Sequence, residues 1–268
     1  MTSSGHLDET RIMRALRERR PAYAGGIRVH ASTGSTSDDA KRLAREGCAH
    51  GTLVVAEEQT AGRGRSGSAW YSPRGENVYA SVALLAGEGA FAGPSFALVV
   101  GLPIARAVDR AIGTENVARI KWPNDVHVRG RKVSGVLVEA LSRGTRASAV
   151  IVGVGINVAT TSFPPELDAI ATSLAREGAK TVDRSELVVE LAAGILDAWD
   201  SYQRAGLAPF LPELRARDAL LGRRVRIDGV EGVASAILDD GRLSVVDDAG
   251  TMTAVVAGHV EILADVHR

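Results

Sequence analysis

Gly62-Arg63-Gly64-Arg65-Ser66-Gly67 is the stretch around which the rest of the chain can be arranged. It places glycines and arginines side by side, between an apolar run that predicts a strand (53–58) and the aromatic pair Trp70-Tyr71. Glycines let the backbone approach a ligand closely, and guanidinium groups donate paired hydrogen bonds to carboxylates and phosphates. The stretch therefore predicts an anion-binding loop. A mobile surface loop and an RNA-contacting Arg/Gly segment are the alternatives that these residues alone leave open.

The overall composition is that of an ordinary globular protein, with 45% hydrophobic and 24% charged residues in a chain of 268. Lys plus Arg and Asp plus Glu each number 32, so the net charge is zero, without the basic excess of a general nucleic-acid or membrane-surface binder. Cys48 is the only cysteine, which excludes an internal disulfide and agrees with a cytoplasmic protein. The N-terminus shows no signal pattern, and the charges within 91–112 predict an amphipathic core helix rather than a membrane span.

Hydrophobic periodicity divides the first 220 residues into alternating helices and strands. Thr36 or Ser37 is expected to cap the second helix, and alternation within 77–85 predicts a strand with one buried face. The predicted helices are a short one around 7–16, one that ends at Gly47, 91–112 and 187–202; the predicted strands are 27–30, 53–58, 77–85, 118–122, 126–128, 133–139 and 147–157.

The pattern changes after Asp218, where short apolar runs alternate with glycine-containing turns. Such spacing is typical of a small antiparallel barrel, and we place a domain boundary near residue 220. The strands predicted there are 225–227, 233–238, 243–246, 252–256 and 260–263.

Lys121-Trp122-Pro123-Asn124-Asp125 is the second unusual stretch. It follows a predicted buried strand, and its amide and carboxylate are groups that can hydrogen-bond an adenine and hold Mg²⁺. The alternative is a plain turn with Trp122 in the core. No Walker loop is present, and the glycine stretch does not open a helix as a Rossmann loop does.

Several further polar residues stand at strand ends or in the loops that leave them. Each alone could be a solvated side chain, but their convergence on one face of a sheet would form a pocket for an anionic small molecule beside a nucleotide. These residues are Ser35, Gln59, Arg63, Lys132 and Asn157.

Taken in order and spacing, these motifs resemble those of the biotin protein ligases from about residue 27 to the end of the chain. Any one of them is weak evidence, and the ordered set is specific. The matching motifs are Ser35-Thr36-Ser37, Gln59-Thr60-Ala61-Gly62-Arg63-Gly64-Arg65 with Trp70, Lys121-Trp122-Pro123-Asn124-Asp125, Lys132 with Gly135, and Gly153-Val154-Gly155-Ile156-Asn157. Phe163-Pro164-Pro165-Glu166-Leu167 and Ala171-Thr172-Ser173-Leu174 extend the match.

The resemblance implies an α/β (α+β) fold: a mixed-sheet, class II synthetase-like catalytic domain and a small C-terminal SH3-like β-barrel. It also implies an ATP-dependent ligase that converts biotin to biotinyl-5′-AMP and transfers biotin to a lysine of a biotin carboxyl carrier domain of an acyl-CoA carboxylase. We expect the domains to be an N-terminal extension (1–26), the catalytic domain (27–219) and the barrel (220–268). We also expect the glycine loop to be mobile when empty and to order over the intermediate.

The same resemblance assigns roles to individual residues. Catalytic roles fall to Lys132, Arg63 and Asp125, with Asp125 also near Mg²⁺. The biotin-binding residues are Ser35, Thr36, Ser37, Gln59, Gly62, Arg63, Gly64, Arg65, Lys132 and Gly135, and the ATP-binding residues are Arg65, Trp70, Asn124 and Asn157.

Three departures from the family pattern carry expectations. Ser37 stands where many relatives have asparagine, and Ser66 and Ser68 stand where some have arginines, so the adenylate is expected to be held more loosely. Residues 1–26 are too few for the winged helix of bifunctional relatives, so we expect no DNA binding.

Two other functions stay open beside biotin ligation. One is a lipoate or octanoate ligase or transferase of the related fold, and the other is a non-catalytic biotin-sensing or RNA-contacting protein. The sequence also leaves open whether the protein is a monomer or a homodimer formed through exposed strand edges.

Overall fold

The structure is a computed structural model that describes residues 5–85, 93, 95–143 and 146–263. Its main feature is a seven-stranded mixed sheet in the order β1-β2-β3-β7-β6-β5-β4, in which β1 and β2 are parallel and all other neighbours are antiparallel. The strands are β1 (Ile27–His30), β2 (Thr52–Ala56), β3 (Val78–Leu85), β4 (Ala118–Lys121), β5 (Asp125–Val128), β6 (Arg131–Arg143) and β7 (Arg146–Ile156). The predicted mixed-sheet α/β fold is confirmed.

Helices cover both faces of this sheet. On one face, α1, α3 and α5 form the main core with the sheet, and α1 packs against α5 and β1; on the other face, α2 packs against β2, β3 and β7. The helices are α1 (Glu9–Arg19), α2 (Thr36–Arg45), α3 (Phe96–Ile112), α4 (Pro165–Asp168), α5 (Arg184–Ala205) and α6 (Leu211–Ala216). Among the described residues, every helix is too short or too polar to cross a lipid bilayer.

Strand β3 differs from its prediction, because both of its faces are buried. Val82 and Leu84 face the main core, whereas Ala83 belongs to the small cluster beneath α2. The sequence suggested one buried face because Val78, Ala80, Val82 and Leu84 alternate with the other residues of the strand. Because α2 covers this second face, both faces of β3 are buried.

The start of α2 also differs in detail. Ser35 is its N-cap residue, without a side-chain capping hydrogen bond, and Thr36 and Ser37 are the first helical residues. Their hydroxyls point instead into the polar cluster described below. Residues 91–95 of the predicted third helix lie outside the described helix, which begins at Phe96; of these, Phe91, Ala92 and Pro94 lie outside the described residues. Helices α4 and α6 were not predicted, because a turn or two shows too little periodicity to identify.

The C-terminal strands form a second, antiparallel sheet of five strands in the order β11-β10-β9-β8-β12. They are β8 (Arg224–Ile227), β9 (Val230–Ile237), β10 (Leu243–Val246), β11 (Met252–Val255) and β12 (Val260–Ile262). The antiparallel arrangement is as predicted, but β11 and β12 lie at opposite ends of the order, so the described pairings do not close a barrel. The apolar side chains of this sheet join the main core, and the domain boundary near residue 220 stays a prediction.

The turn after β4 anchors the second sheet on the first. Trp122 is fully buried, and its Nε1 donates to the carbonyl of Gly241 at 3.0 Å. Lys121 Nζ donates to the carbonyl of Val260 at 3.1 Å. Trp122 is therefore core, as the plain-turn alternative expects, yet this position also holds the neighbouring Asn124 and Asp125 beside a cleft.

Candidate active site

A cleft with a volume of about 1160 Å³ lies between the glycine loop, the start of α2, the β4–β5 turn and the surface of β6 and β7. Every residue predicted to bind biotin or ATP lines it, except Gly62. Gly62 lies directly behind the lining: a Cβ there would stand 2.7 Å from Ser72 Oγ and 2.9 Å from Gln59 Nε2. The sequence motifs, which run from Ser35 to Asn157, are thus brought to one place.

One end of the cleft carries a buried cluster of hydroxyl and amide groups. The Thr36 backbone N–H and hydroxyl both donate to Gln59 Oε1, at 2.9 and 3.1 Å. The hydroxyls of Thr36 and Ser37 lie 2.8 and 3.1 Å from Ser81 Oγ. These groups can exchange hydrogen bonds with a ligand that presents both N–H and C=O groups.

Glycines make room for this cluster and for Trp70. A Cβ on Gly153 would stand 2.5 Å from Ser37 Oγ, and a Cβ on Gly155 would overlap the Trp70 indole. Gly135 pairs with Gly155 across β6 and β7, and a Cβ there would lie 3.1 Å from the same indole. Side chains at these positions would therefore keep Trp70 away from the sheet, where its buried Nε1 now has no hydrogen-bond partner among the described residues.

The other end of the cleft is charged. Lys132 Nζ lies 2.8 Å from Asp125 Oδ1 and 5.3 Å from the centre of the Trp70 ring. Burial lowers the pKa of His127 to about 4, so this imidazole is neutral near pH 7. Burial also lowers the pKa of Lys121. Two lysines and one carboxylate thus face a neutral histidine in a partly dry site.

The arginines of the glycine loop contact opposite sides of the cleft. Arg63 forms a two-pronged ion pair with Asp38 of α2. Arg65 Nη1 donates to Asn124 Oδ1 at 3.2 Å, and Asn124 Nδ2 donates to the carbonyl of Val136 at 2.7 Å. The loop therefore crosses the cleft from α2 to the β4–β5 turn.

Asn157 lies at the end of β7 and is almost fully buried. Its Nδ2 donates to the carbonyl of Thr172 at 2.9 Å, which ties the 171–174 segment to the sheet. The predicted nucleotide contact of Asn157 stays a prediction. Across the described part of the chain, no three His, Cys, Asp or Glu side chains converge as a metal centre.

Residues 29–157 match the biotin/lipoate A/B protein ligase family. The biotin--[acetyl-CoA-carboxylase] ligase of Mycobacterium tuberculosis is 35% identical over 272 residues, which cover 96% of this chain and 97% of that protein. This chain belongs to the biotin protein ligase family. The family named from the sequence motifs is confirmed.

Relatives of other lengths match in part. The bifunctional ligase/repressor BirA of Bacillus subtilis is 34% identical over 67% of this chain, a match that covers 55% of BirA. This chain thus spans about half the length of that biotin ligase relative. The structure of the biotin protein ligase from Aquifex aeolicus in complex with biotin and ATP superposes with a TM-score of 0.77 at 27% identity, covering 90% of this chain and 99% of that one.

Some residues that line this cleft or contact its lining were not identified from the sequence. Ser81 lies in the middle of a strand, where a serine carries no signal of a site. His127 follows Asp125 by two residues, so strand alternation could have placed it on the same face. Gly258 and His259, in the second sheet's last loop, also line the cleft, and nothing local in the sequence connects them with it.

Proposed function

We propose that this protein activates biotin with ATP and transfers it to a protein lysine. A carboxylate oxygen of biotin attacks the α-phosphorus of ATP, and the bond to pyrophosphate breaks, which gives biotinyl-5′-AMP. The Nε of an acceptor lysine, after losing a proton, then attacks the acyl carbon, and AMP leaves with the electron pair of the C–O bond. The products are an amide and AMP.

The observation that carries this proposal is one continuous cleft with a neutral polar end, a charged end and Trp70 between them. The polar end suits a ureido group, which has both donors and acceptors, and the charged end suits a carboxylate and phosphates. A lipoyl or octanoyl chain has no paired N–H and C=O groups to exchange hydrogen bonds with Thr36, Ser37 and Gln59, so it would gain less from this end of the cleft than a ureido ring would. The cleft therefore favours biotin over the lipoate alternative.

The charged side chains supply what the first step needs. Two anions must meet, and Lys132 and Arg63 provide positive charge at either side of the meeting point. Such charge acts more strongly in a partly dry site than in water, and it stabilises the negative charge that develops at the α-phosphoryl group. The remaining contribution is alignment of the carboxylate for in-line attack. No protein nucleophile is required.

The residues present fit Mg²⁺ bound together with ATP. Mg²⁺ commonly takes one or two carboxylates and completes its octahedron with phosphate oxygens and water. Asp125 offers a carboxylate oxygen inside the cleft, next to Lys132, and we propose that it contacts the ion. When bound, Mg²⁺ would neutralise phosphate charge. Trp70 would stack on adenine, with Arg65, Asn124 and Asn157 contacting the nucleotide.

The proposed acceptor is the biotin carboxyl carrier domain of an acyl-CoA carboxylase, as the name of the Mycobacterium tuberculosis relative suggests. We propose that DNA is not a partner, since the chain has a net charge of zero and lacks the basic excess of a general nucleic-acid binder. A cytoplasmic location also stays a prediction, and the choice between a monomer and a homodimer formed through sheet edges stays open.

The test is biotin-dependent exchange of labelled pyrophosphate into ATP, followed by transfer of labelled biotin to a purified carrier domain. Exchange with biotin and transfer to the carrier lysine would support both steps. Exchange with lipoate or octanoate alone would support the alternative, and no exchange with any of the acids would contradict the proposed activity.

A further inference from the structure

In this structure, a carboxylate of the protein itself already binds the guanidinium of Arg63. Arg63 Nη1 donates to Asp38 Oδ2 at 2.6 Å, and Nη2 donates to Asp38 Oδ1. Two parallel N–H···O bonds fix both the position and the plane of the guanidinium. The proposed function gives Arg63 a ligand anion, so Asp38 determines where that ligand meets the arginine.

The ion pair bridges the rim of the cleft. Asp38 lies in the first turn of α2, directly after Thr36 and Ser37 of the cleft lining, and Arg63 lies in the glycine loop opposite. Within the loop itself, Gly64 N donates to Ser68 O at 2.7 Å, which closes the hairpin but does not attach it to the sheet. Gln59, at the base of the loop, is held by Thr36 of α2, and Asp38 adds a contact from α2 to Arg63 within the loop itself.

The surrounding charges keep Asp38 ionised. Its hydrogen bond from Arg63 lowers the pKa of the Asp38 carboxyl, against a smaller opposing effect of burial. Lys41 Nζ lies 3.5 Å from Asp38 and 2.6 Å from Glu139, so the lysine supports the carboxylate from the other side. The pair is thus complete at neutral pH.

Pairing with Asp38 leaves several hydrogen-bond donors of Arg63 available. A guanidinium has five N–H donors, and a two-pronged pair occupies two of them, which leaves three for a ligand anion. A guanidinium held in place loses less rotamer entropy when a ligand binds. Asp38 therefore orients Arg63 for the ligand.

We infer that Asp38 is a positioning residue that fastens Arg63, and with it the glycine loop, across the cleft and so slows escape of the acyl-adenylate. This inference rests on the proposed function for the identity of the ligand. The contact between Asp38 and Arg63 does not depend on it.

The experiment measures release of chemically prepared biotinyl-5′-AMP from the full-length protein, so it needs no adenylation activity. Asp38→Asn is compared with the wild type, with Asp38→Glu, and with Asp38→Asn in an Arg63→Gln background. Glu46→Gln is the matched control, because Glu46 is an exposed carboxylate of the same helix region paired with Arg42. Hydrogen exchange of residues 62–69 in the ligand-free proteins is measured in parallel.

We expect Asp38→Asn to release the adenylate about two- to fivefold faster, as befits an exposed ion pair, and to raise loop exchange by a similar factor. Asp38→Glu should stay closer to the wild type, and Glu46→Gln should match it. In the Arg63→Gln background, Asp38→Asn should have no further effect. The inference would be overturned if release and loop exchange in Asp38→Asn were unchanged. It would also be overturned if adding Asp38→Asn to the Arg63→Gln variant increased both rates as much as it does in the wild type. Failure of the wild type to bind biotinyl-5′-AMP would contradict the proposed function, and loop exchange would still decide the role of Asp38.

Discussion

Lys132 and Asp125 form an ion pair of 2.8 Å inside the cleft, beside the face of Trp70. An ammonium group has three N–H donors, so Lys132 still has donors available for a ligand after it pairs with one carboxylate. The aspartate keeps the lysine at a fixed place and offsets its charge until an anion arrives. Arrival of a carboxylate or phosphate would let Lys132 bind both groups at once.

Replacement of Lys132 by alanine is expected to lower the rate of biotin-dependent pyrophosphate exchange by about 10²- to 10³-fold, the usual loss when one fixed electrostatic contact to a transition state is removed. Lys132→Arg should recover part of the rate, because it restores the charge with a different shape. Lys180→Ala, at an exposed position, is the control. A loss of less than threefold in Lys132→Ala would show that this lysine does not act on the reacting groups.

A side chain at Gly155 should weaken ATP binding more than biotin binding. A Cβ at this position would overlap the Trp70 indole, so Gly155→Ala must push the ring off the sheet. Loss of a base-stacking contact costs about 1–3 kcal/mol, so the KM for ATP should rise about 5- to 140-fold. Gly26→Ala is the control, since its Cβ would meet only Thr52 Oγ1 at 3.9 Å. An equal change in both KM values would argue against an adenine platform at Trp70.

The buried His127 should make the fold sensitive to mild acid. Burial lowers the pKa of His127 to about 4 from an ordinary value of 6.5, so between these pH values the unfolded chain binds a proton that the folded chain does not. The free energy of unfolding must then fall as pH falls through this window, by up to about 3 kcal/mol at about 1.4 kcal/mol per pKa unit.

Urea unfolding of the wild type and of His127→Gln between pH 7 and pH 4 measures this contribution. The variant should lose less stability than the wild type over the same range. His259→Gln, at an exposed position, should follow the wild type. Parallel pH curves for wild type and His127→Gln would contradict the assignment.

The sequence predicted much of the site because its chemistry lies at strand ends. Arg63 lies in the glycine loop, Asn124 in the β4–β5 turn and Lys132 at the start of β6, and all three line the cleft. Their positions beside apolar runs, together with the resemblance of the ordered motifs, suggested a common site. Ser81 could not be found in this way, since its role depends on α2 covering the second face of β3. That cover is a tertiary feature without a local signal.

The pairing of the charged groups was equally hidden from the sequence. Arg63 was predicted to bind a ligand anion, and its pairing with Asp38, 25 residues earlier in the chain, was not predicted. The second sheet shows the same limit. Its strands follow turn signals that are easily read, but its anchoring on Trp122 depends on a hydrogen bond to Gly241, more than 100 residues later. Local periodicity cannot reveal such pairs.

The glycine loop is expected to be open to protease when empty and protected when the intermediate is bound. Arg63 and Arg65 give trypsin two cleavage sites within the loop, which is attached to the rest of the cleft by two side-chain contacts, Arg63 with Asp38 and Arg65 with Asn124. Biotin plus ATP should add contacts to both arginines, and cleavage there should slow by about tenfold or more, since each 1.4 kcal/mol of added closure is worth a factor of ten. Cleavage after Lys180, in an exposed segment away from the cleft, is the internal control and should keep its rate.

Biotin alone should protect the loop less than biotin with ATP, because only the adenylate reaches both ends of the cleft. Equal cleavage of the loop with and without both substrates would show that the loop does not close over the intermediate.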